Sequence, residues 1–514
     1  DKVVTATLTS PFATPLPPPT DPIETPSQNI DRFVESKLAR LGLVASPRCT
    51  DAEFLRRVTL DLTGQLPTPD EAKGFLADTA PDKRTRLVDA LLARPAYVDN
   101  WTLRWGDLFR STRNALNERG LHSLNRWIRD SVAANKPWDR MAAELLLARG
   151  STYETGPANY FRASATTEAL VENTSQTFLG VRIACARCHN HPYEKWKQNQ
   201  YYEMAAFFTR MRSKGGNAPD ERIFYVGDSG EIANPRTQVT AIPTPLDARP
   251  VPASFKGDRR EAFVDWLVRK DNPFFAKAVV NRLWGHFLGQ GIVEPVDDIR
   301  VTNPPSNPEL LDFLASDFAR NGFDLRRTMR VIVLSETYQR SAIPTPANVA
   351  DTRYHSTYRF KRLPAEPLLD ALGAATGVPE KFAGYPAGMR AGELPDATAQ
   401  SYFLDLFGRP ARNIVCQCER SDNPNLGQIL HLMNGKSVND RLASKEGRVS
   451  QLMAKGTTNP EIVRELYLAT LSREPELDEM LTASVDLHAA EDRRKAVEDL
   501  LWALVNSKEF LFNH

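Results

Sequence analysis

Two cysteines three positions apart, followed at once by a histidine, set Cys185-Ala-Arg-Cys188-His189 apart from the rest of the chain. Thiols at that spacing can add across the two vinyl groups of a haem, and the adjoining imidazole can ligate the iron from one face. This is the attachment signature of a c-type haem. With five cysteines and eight histidines in 514 residues, chance yields the pattern in about one chain per thousand of this composition. The rival is a metal. Cys185 and Cys188 with Cys416 and Cys418 offer four thiolates, which suits tetrahedral zinc or an iron–sulfur cluster, and His189 or His191 can replace one of them. The segment that follows adds His191, Tyr193 and Trp196. Aromatic cover keeps water from an iron and tunes its potential.

Two further groups of residues have the chemistry of a site. Arg282 and His286 lie four apart on one predicted helical face, and Asp297, Asp298 and Arg300 follow in a loop. A histidine beside carboxylates and arginines can take a proton from a hydroxyl while a cation holds the developing alkoxide, so His286, Arg282 and Asp298 are the candidates for substrate handling. The alternative is a satisfied polar network in a helical core. Cys416-x-Cys418 with Glu419 and Arg420 offers reactive thiols, metal ligands or support for a haem, and a disulfide between such near neighbours is strained. A sixth iron ligand would come from His286, His355, His431, Met204 or Met433. A strong one implies electron transfer, an open position chemistry at iron.

The elements that position these residues are mainly helical. Ile30, Phe33, Val34, Leu38 and Leu41 recur at helical spacing, a second helix runs from Asp51 to Gly64, and Thr68-Pro-Asp-Glu71 opens a third with a capping box. Further helices are predicted at 82–93, 98–110, 120–134, 138–148, 168–179, 201–208, 259–270, 274–288, 307–320, 325–337 and 365–376. Tryptophans 101, 105, 127 and 138 are expected in the core. Seven prolines in residues 1–28 read as an extended arm. The segment 211–258 reads as a connector bearing a β-hairpin, from the alternation at 223–226 and 238–242, and residues 380–412 read as irregular. The division is thus an arm (1–28), a helical domain with the cysteine motif (29–210), the connector (211–258) and a second helical domain with the Cys-x-Cys pair (259–514). One pattern recurs: Val58-to-Glu71 resembles Leu466-to-Glu479, and Arg84, Val88, Leu91 and Leu92 fall against Arg493, Val497, Leu500 and Leu501.

The bulk numbers narrow the class. A net charge of +1 gives no global field for holding nucleic acid or an anionic membrane, and no apolar run reaches the roughly 20 residues that cross a bilayer. Five cysteines in so long a chain make no disulfide scaffold. Asp1-Lys2-Val3 opens without a leader, so the chain is either cytosolic or begins after a cleaved one.

Several longer motifs carry a family resemblance. Gly180-Val-Arg-Ile-Ala-Cys-Ala-Arg-Cys-His-Asn-His-Pro-Tyr193 and Arg57-Val-Thr-Leu-Asp-Leu-Thr-Gly64 resemble the planctomycete cytochrome-like domain, subfamily two. Asn281-Arg-Leu-Trp-Gly-His-Phe287, Gly291-Ile-Val-Glu-Pro-Val-Asp-Asp298, Arg362-Leu-Pro-Ala-Glu366, Phe407-Gly-Arg-Pro-Ala-Arg412 and Cys416-Gln-Cys-Glu-Arg420 resemble its companion, the planctomycete surface-type domain. The resemblance covers nearly everything after residue 29. It departs at one place: many members follow the motif with His-Asp-His-Lys-Phe-Asp-Pro, where this chain has His189-Asn-His-Pro-Tyr-Glu-Lys195. The resemblance implies an exported protein, periplasmic or at the cell surface, with its signal peptide removed. The expected activity is that of a haem c oxidoreductase, oxidising a carbohydrate or related small polar substrate and passing electrons to a partner cytochrome. The alternatives are a non-catalytic electron-transfer cytochrome and a zinc- or cluster-stapled glycan-binding scaffold. The pattern carries no signal for an oligomeric state.

Overall fold

A computed structural model describes residues 8–20, 22–252, 254–416, 419–420 and 423–514. About half of the chain is helical and only small antiparallel sheets accompany the helices, so the mainly helical class expected from the periodicity is the class observed. The helices are α1 (Pro26–Leu41), α2 (Asp51–Thr63), α3 (Pro69–Ala77), α4 (Lys83–Leu92), α5 (Pro95–Leu108), α6 (Arg113–Ala133), α7 (Trp138–Leu146), α8 (Asn159–Ala163), α9 (Thr167–Thr174), α10 (Gln198–Ala205), α11 (Arg259–Leu267), α12 (Phe275–Leu288), α13 (Pro308–Arg320), α14 (Leu325–Val333), α15 (Ala365–Thr376), α16 (Tyr402–Leu406), α17 (Leu426–Asn434), α18 (Lys436–Leu442), α19 (Arg448–Ala454), α20 (Asn459–Leu471), α21 (Leu477–Ala489), α22 (Arg493–Val505) and α23 (Lys508–Leu511).

The connector carries a hairpin whose partner strand differs from the expected one: Arg222–Val226 pairs antiparallel with Met211–Gly215 and takes Gly150–Ser151 on its other edge. The second predicted strand, 238–242, is reduced to a single bridge between Ala233 and Thr240. Gln238 sits at a left-handed φ of 56°, which breaks the extended run. Helix α14 stops at Val333, short of the predicted 337, because Asp31 of α1 accepts the Glu336 and Thr337 N–H groups at 2.9 and 2.8 Å. Between 380 and 412 only a short 3-10 turn (Ala391–Glu393) and α16 form. The arm docks on α1 through Phe12 and Leu16, whose N–H groups donate to Leu41 and Ala39 at 2.8 Å each.

Two apolar cores divide the chain. The first runs from Ile30 to Ala342 and takes in Val415, so it continues across the connector into α12–α14. Trp101, Trp105 and Trp138 stand in it, with ring centroids 5.6 and 4.9 Å apart, and Trp127 packs on its edge. The second is built by α15–α22 and receives Leu60 and Leu66 from the N-terminal part. Helix α2 is therefore wedged between them.

The recurring pattern is realised as two three-helix modules, α2–α4 and α20–α22. Thr50 and Thr458 stand at their N-caps, each with a capping box closed by Glu53 or Glu461. Gly64 and Ser472 end the first helices in the left-handed region at φ 69° and 62°. The modules meet at Leu55, Ala72 and Leu468, and the buried Arg56 donates to the Thr470 carbonyl across that junction at 2.8 Å.

Helix α2 also carries the central polar network. Asp61 is 5% exposed. Its carboxylate accepts from Lys361 Nζ (2.8 and 2.9 Å), Asn513 Nδ2 (2.8 Å), Tyr338 Oη (2.9 Å) and Tyr358 Oη (3.3 Å). Its backbone carbonyl takes His286 Nε2 at 2.9 Å. One turn earlier, Arg57 donates to the His514 and Arg340 carbonyls at 2.8 and 2.9 Å and stacks on Tyr358 at 3.7 Å. Burial lowers Lys361 to about 8, against the raising effect of Asp61.

Removing the carboxylate strands that ammonium, at a cost of about 3–5 kcal/mol. Asp61→Ala is expected to lose that much in urea unfolding, and adding Lys361→Met is expected to recover part of it. A single variant within about 1 kcal/mol of the parent would contradict the central role given to the pair.

Two buried histidines set the acid limit. Burial pushes His355 down to about 3 and His286 well below its ordinary value. Both stay neutral in the folded chain but protonate near pH 6.5 when unfolded. Below that pH the unfolded state binds more protons, so stability falls as pH falls. The combined slope approaches about 2.7 kcal/mol per pH unit between pH 6 and 5. His355→Asn, which suits the left-handed φ of 60°, is expected to halve it. Unfolding free energies that stay flat across this interval would refute the assignment.

Candidate functional site

The cysteine turn grows out of the end of α9. A π-turn (Ser175–Leu179) closes at Gly180 in a left-handed conformation, φ 64°, where an added Cβ would lie 3.0 Å from Ile299 and 3.3 Å from Ala278. The chain then passes Val181–Ile183 and enters one 3-10 turn, Ala184–Arg187. That turn buries Ala186 and leaves Cys185 and Cys188 exposed as free thiols. Gln198 Nε2, at the start of α10, donates to the carbonyls of Arg187 and Cys188 at 3.0 and 3.1 Å. Tyr202 Oη donates to the Arg187 carbonyl at 3.2 Å.

His189 is exposed, and its Nδ1 lies 2.7 Å from the Asn190 carbonyl. A carbonyl only accepts, so Nδ1 carries the proton and Nε2 keeps its lone pair. An imidazole fixed in this way is what axial ligation needs, and with two free thiols beside it the turn fits covalent haem c attachment. His191 is half-buried. Its Nδ1 accepts the Tyr193 N–H at 3.2 Å, and burial lowers it, opposed by Glu194. Tyr193 is exposed. Trp196 is buried and packs on Phe274 at 6.1 Å, so it braces the loop from below.

The second feature is a cavity of about 110 Å3 between α5, α12 and the segment 410–420. Arg282, His286 and Cys416, distant in sequence, all line it, together with Trp101, Arg104 and Trp105. Cys416 is disulfide-bonded, so its sulfur is not a thiolate; Cys418 lies outside the described residues. Among the described residues no three His, Cys, Asp or Glu side chains gather as a metal-holding group. His286 stacks edge-on against Trp101 at 5.2 Å. Burial, then the charges of Arg104 and Lys361, keep it neutral.

The cysteine turn and the cavity are joined through one carboxylate. Asp297, 1% exposed, accepts from Gln176 Nε2 (2.7 Å) and from Arg182 (2.5 Å), and Arg282 Nη2 approaches to 3.9 Å. Arg182 stands three residues before Cys185, and its Nη2 also reaches Cys416 Sγ at 3.5 Å. Asp298 faces the other way: it pairs with Arg300 at 3.4 Å, and both act electrostatically on His191. The Asp298 named with Arg282 and His286 therefore stands on the cysteine-loop side, while its neighbour Asp297 contacts the cavity wall.

Three motifs of the C-terminal half converge below the cavity on Asp107 of α5. Arg412 and Arg420 donate to it at 2.7 and 2.8 Å, and Arg420 also pairs with Glu366 at 2.5 Å. Although burial opposes it, Glu366 and Asp107 hold Arg420 above its ordinary value. Arg104 and Asp107 are the site residues that spacing did not single out. The signal was there in α5, where Arg104 shares a face with Trp101, Trp105 and Leu108, a charge on an apolar stripe. Of the candidate sixth ligands, Met204 and His355 are buried, and His355 Nε2 is engaged by Trp284 Nε1 at 3.1 Å. His431 lies 3.0 Å from Ser437 Oγ, and Met433 is exposed.

Residues 29–213 match the PSCyt2 family, a protein of unknown function (DUF1549), and residues 259–485 match PSD1, a protein of unknown function (DUF1553). No curated protein and no solved structure matches the chain. The cysteine turn lies in the first matched segment, α12 and the arginine motifs lie in the second, and the chain has the arrangement of a PSCyt2 domain followed by a PSD1 domain.

Proposed function

We propose that this chain is an exported c-type haem redox protein that oxidises a carbohydrate or similar small polar substrate and passes electrons to a separate cytochrome. The observation that carries the reading is the Cys185–His189 turn: two free surface thiols beside an imidazole whose Nε2 lone pair is left open by the Nδ1 bond to Asn190. Cys185 and Cys188 would hold the haem, each thiol adding across one vinyl group to form one C–S and one C–H bond with nothing released. When bound, the haem supplies one-electron exchange at its iron.

The chain's own residues do the rest. Gln198 and Tyr202 fix the turn through the Arg187 and Cys188 carbonyls. His286, neutral at pH 7, has its Nε2–H committed to the Asp61 carbonyl. Its Nδ1 lone pair is then the proton acceptor of the cavity for a substrate hydroxyl. Arg182, through Asp297, ties the cysteine turn to Arg282 in the cavity wall. A walled cavity in a chain of 514 residues favours an enzyme over a bare carrier. The exposure of Cys185, Cys188 and His189 also suits a second reading, an electron-transfer module with no substrate.

Protein produced with cytochrome c maturation is expected to give the pyridine haemochrome spectrum of a doubly thioether-linked haem and an intact mass one haem heavier. Cys185→Ala with Cys188→Ala is expected to abolish both. Colourless wild-type protein with the mass of the bare polypeptide would sink the proposal. Rapid carbon monoxide binding by the ferrous form favours the enzyme, and none favours the sealed carrier.

A further inference from the structure

Among the described residues every charge around the cavity but one has a hydrogen-bond or ion-pair partner, Arg182 and Arg282 sharing theirs. Asp107 gives one oxygen to Arg412 and the other to Arg420, and Glu366 completes the Arg420 site. Asp61 is matched by Lys361. Glu419 lines the cavity, but its carboxylate accepts the Asn413 N–H at 2.8 Å and its charge falls on Arg110. Asp297 serves Arg182 closely and Arg282 at 3.9 Å. Arg104 is left over. Among the described residues it makes no hydrogen bond and no ion pair, and its only contact of that kind is the Trp101 ring, 5.9 Å away.

The wall is also short of acceptors. Arg104 Nε, Arg282 Nε and Trp101 Nε1 are all enclosed without a hydrogen-bond partner. Burial, reinforced by the Arg420 charge and opposed by Asp61, Asp107 and Glu366, pushes Arg104 down to about 10, so it remains a cation at neutral pH. A half-buried guanidinium that makes no ion pair is costly. His286 adds no charge, because it is neutral. The remaining lining is largely indole and aliphatic: Trp101, Trp105, Leu108, Leu283 and Val415.

The geometry points to a receptor for a small monocarboxylate, its carboxylate on Arg104 and its hydrocarbon part against the two indoles. A lining cation without an ion pair calls for an anionic group, and a planar fork suits a carboxylate. A cavity of about 110 Å3 admits a molecule of a few heavy atoms, given that an engineered cavity of about 150 Å3 holds benzene. Apolar walls favour a carbon skeleton over a fully hydrated inorganic anion. This inference does not rest on haem attachment.

The test is calorimetric titration and thermal unfolding of the full-length protein, in whatever haem state it is isolated. The probes are sodium acetate and sodium glycolate, with glycolamide, chloride and sulfate at matched ionic strength as controls. Acetate and glycolate are expected to bind at one site and raise the melting temperature, while glycolamide does neither. Arg104→Met is expected to weaken binding at least about tenfold, as loss of a charge-assisted pair does, and to melt no lower than the parent without ligand. Arg104→Lys keeps the charge but not the fork and is expected to bind with intermediate strength. The proposal fails if neither carboxylate binds, if sulfate or chloride stabilises as strongly, or if both Arg104 variants bind like the parent. A colourless protein that still binds acetate would overturn the redox reading and leave this one standing.

Discussion

The fold is organised around a buried carboxylate. Asp61 sits on a helix wedged between two apolar cores, and every group that satisfies it comes from far along the chain: Tyr338, Tyr358, Lys361 and Asn513. A buried charge is tolerated only when its partners arrive together. The requirement therefore fixes where the C-terminal half must lie against α2. Arg56 and Arg57 extend the same constraint, since their guanidinium groups end on the carbonyls of Thr470, Phe510 and His514. The two matched family segments are in this sense one body. The first apolar core passes from one into the other, and the polar core of the first is completed by the last residues of the chain.

That constraint also places the site. The Asp61 carbonyl holds His286 through Nε2, which sets the turn of α12 that faces α5. The cavity exists because those two helices present Trp101, Arg104 and His286 toward the segment 410–420, itself held by Asp107 through Arg412 and Arg420. The cysteine turn is anchored differently. It lies outside the core, fastened by α10 from one side and by the Arg182–Asp297 pair from the other. A surface turn can accept a large covalent group without opening the core, while a half-open cavity can discriminate among small molecules. Asp297 joins these two environments over a few ångströms.

Local signals in the sequence were legible where local physics decides the outcome. Capping boxes at Thr50 and Thr68, left-handed ends at Gly42 and Gly64, and the 3.6-residue period of α1 and α12 all act within a few residues, and the helices form where these signals place them. The repeated module was visible in the match of Val58–Glu71 with Leu466–Glu479, and its first helices carry matching caps at Thr50/Thr458 and Gly64/Ser472. The exceptions have long-range causes. Helix α14 ends early because Asp31, some 300 residues away, takes its N–H groups. Asp297 and Asp298 look alike in sequence, yet a single step along the chain turns one toward the cavity and the other toward the cysteine loop. The meeting of Asp107, Glu366, Arg412 and Arg420 could not be read from spacing, because four separate segments supply it.

Arg104 bears on why the cavity has a polar end at all. In a core where Asp61, Asp107, Asp297 and Glu366 are each satisfied by several donors, an arginine that makes no hydrogen bond and no ion pair among the described residues is locally inconsistent. Inconsistency of that kind concentrates at functional sites, where stability is given up for something else. Packing cannot be the reason for its presence, since a methionine would fill the same space with no charge to desolvate. Nor can close pairing, since Asp61, Asp107 and Glu366 act on it only through space and are already bonded to Lys361 or to other arginines. What remains is a cation held ready for a partner that the described residues do not supply. Its attraction for an anion there is stronger than at the surface, because water has already been removed from one side of the interaction.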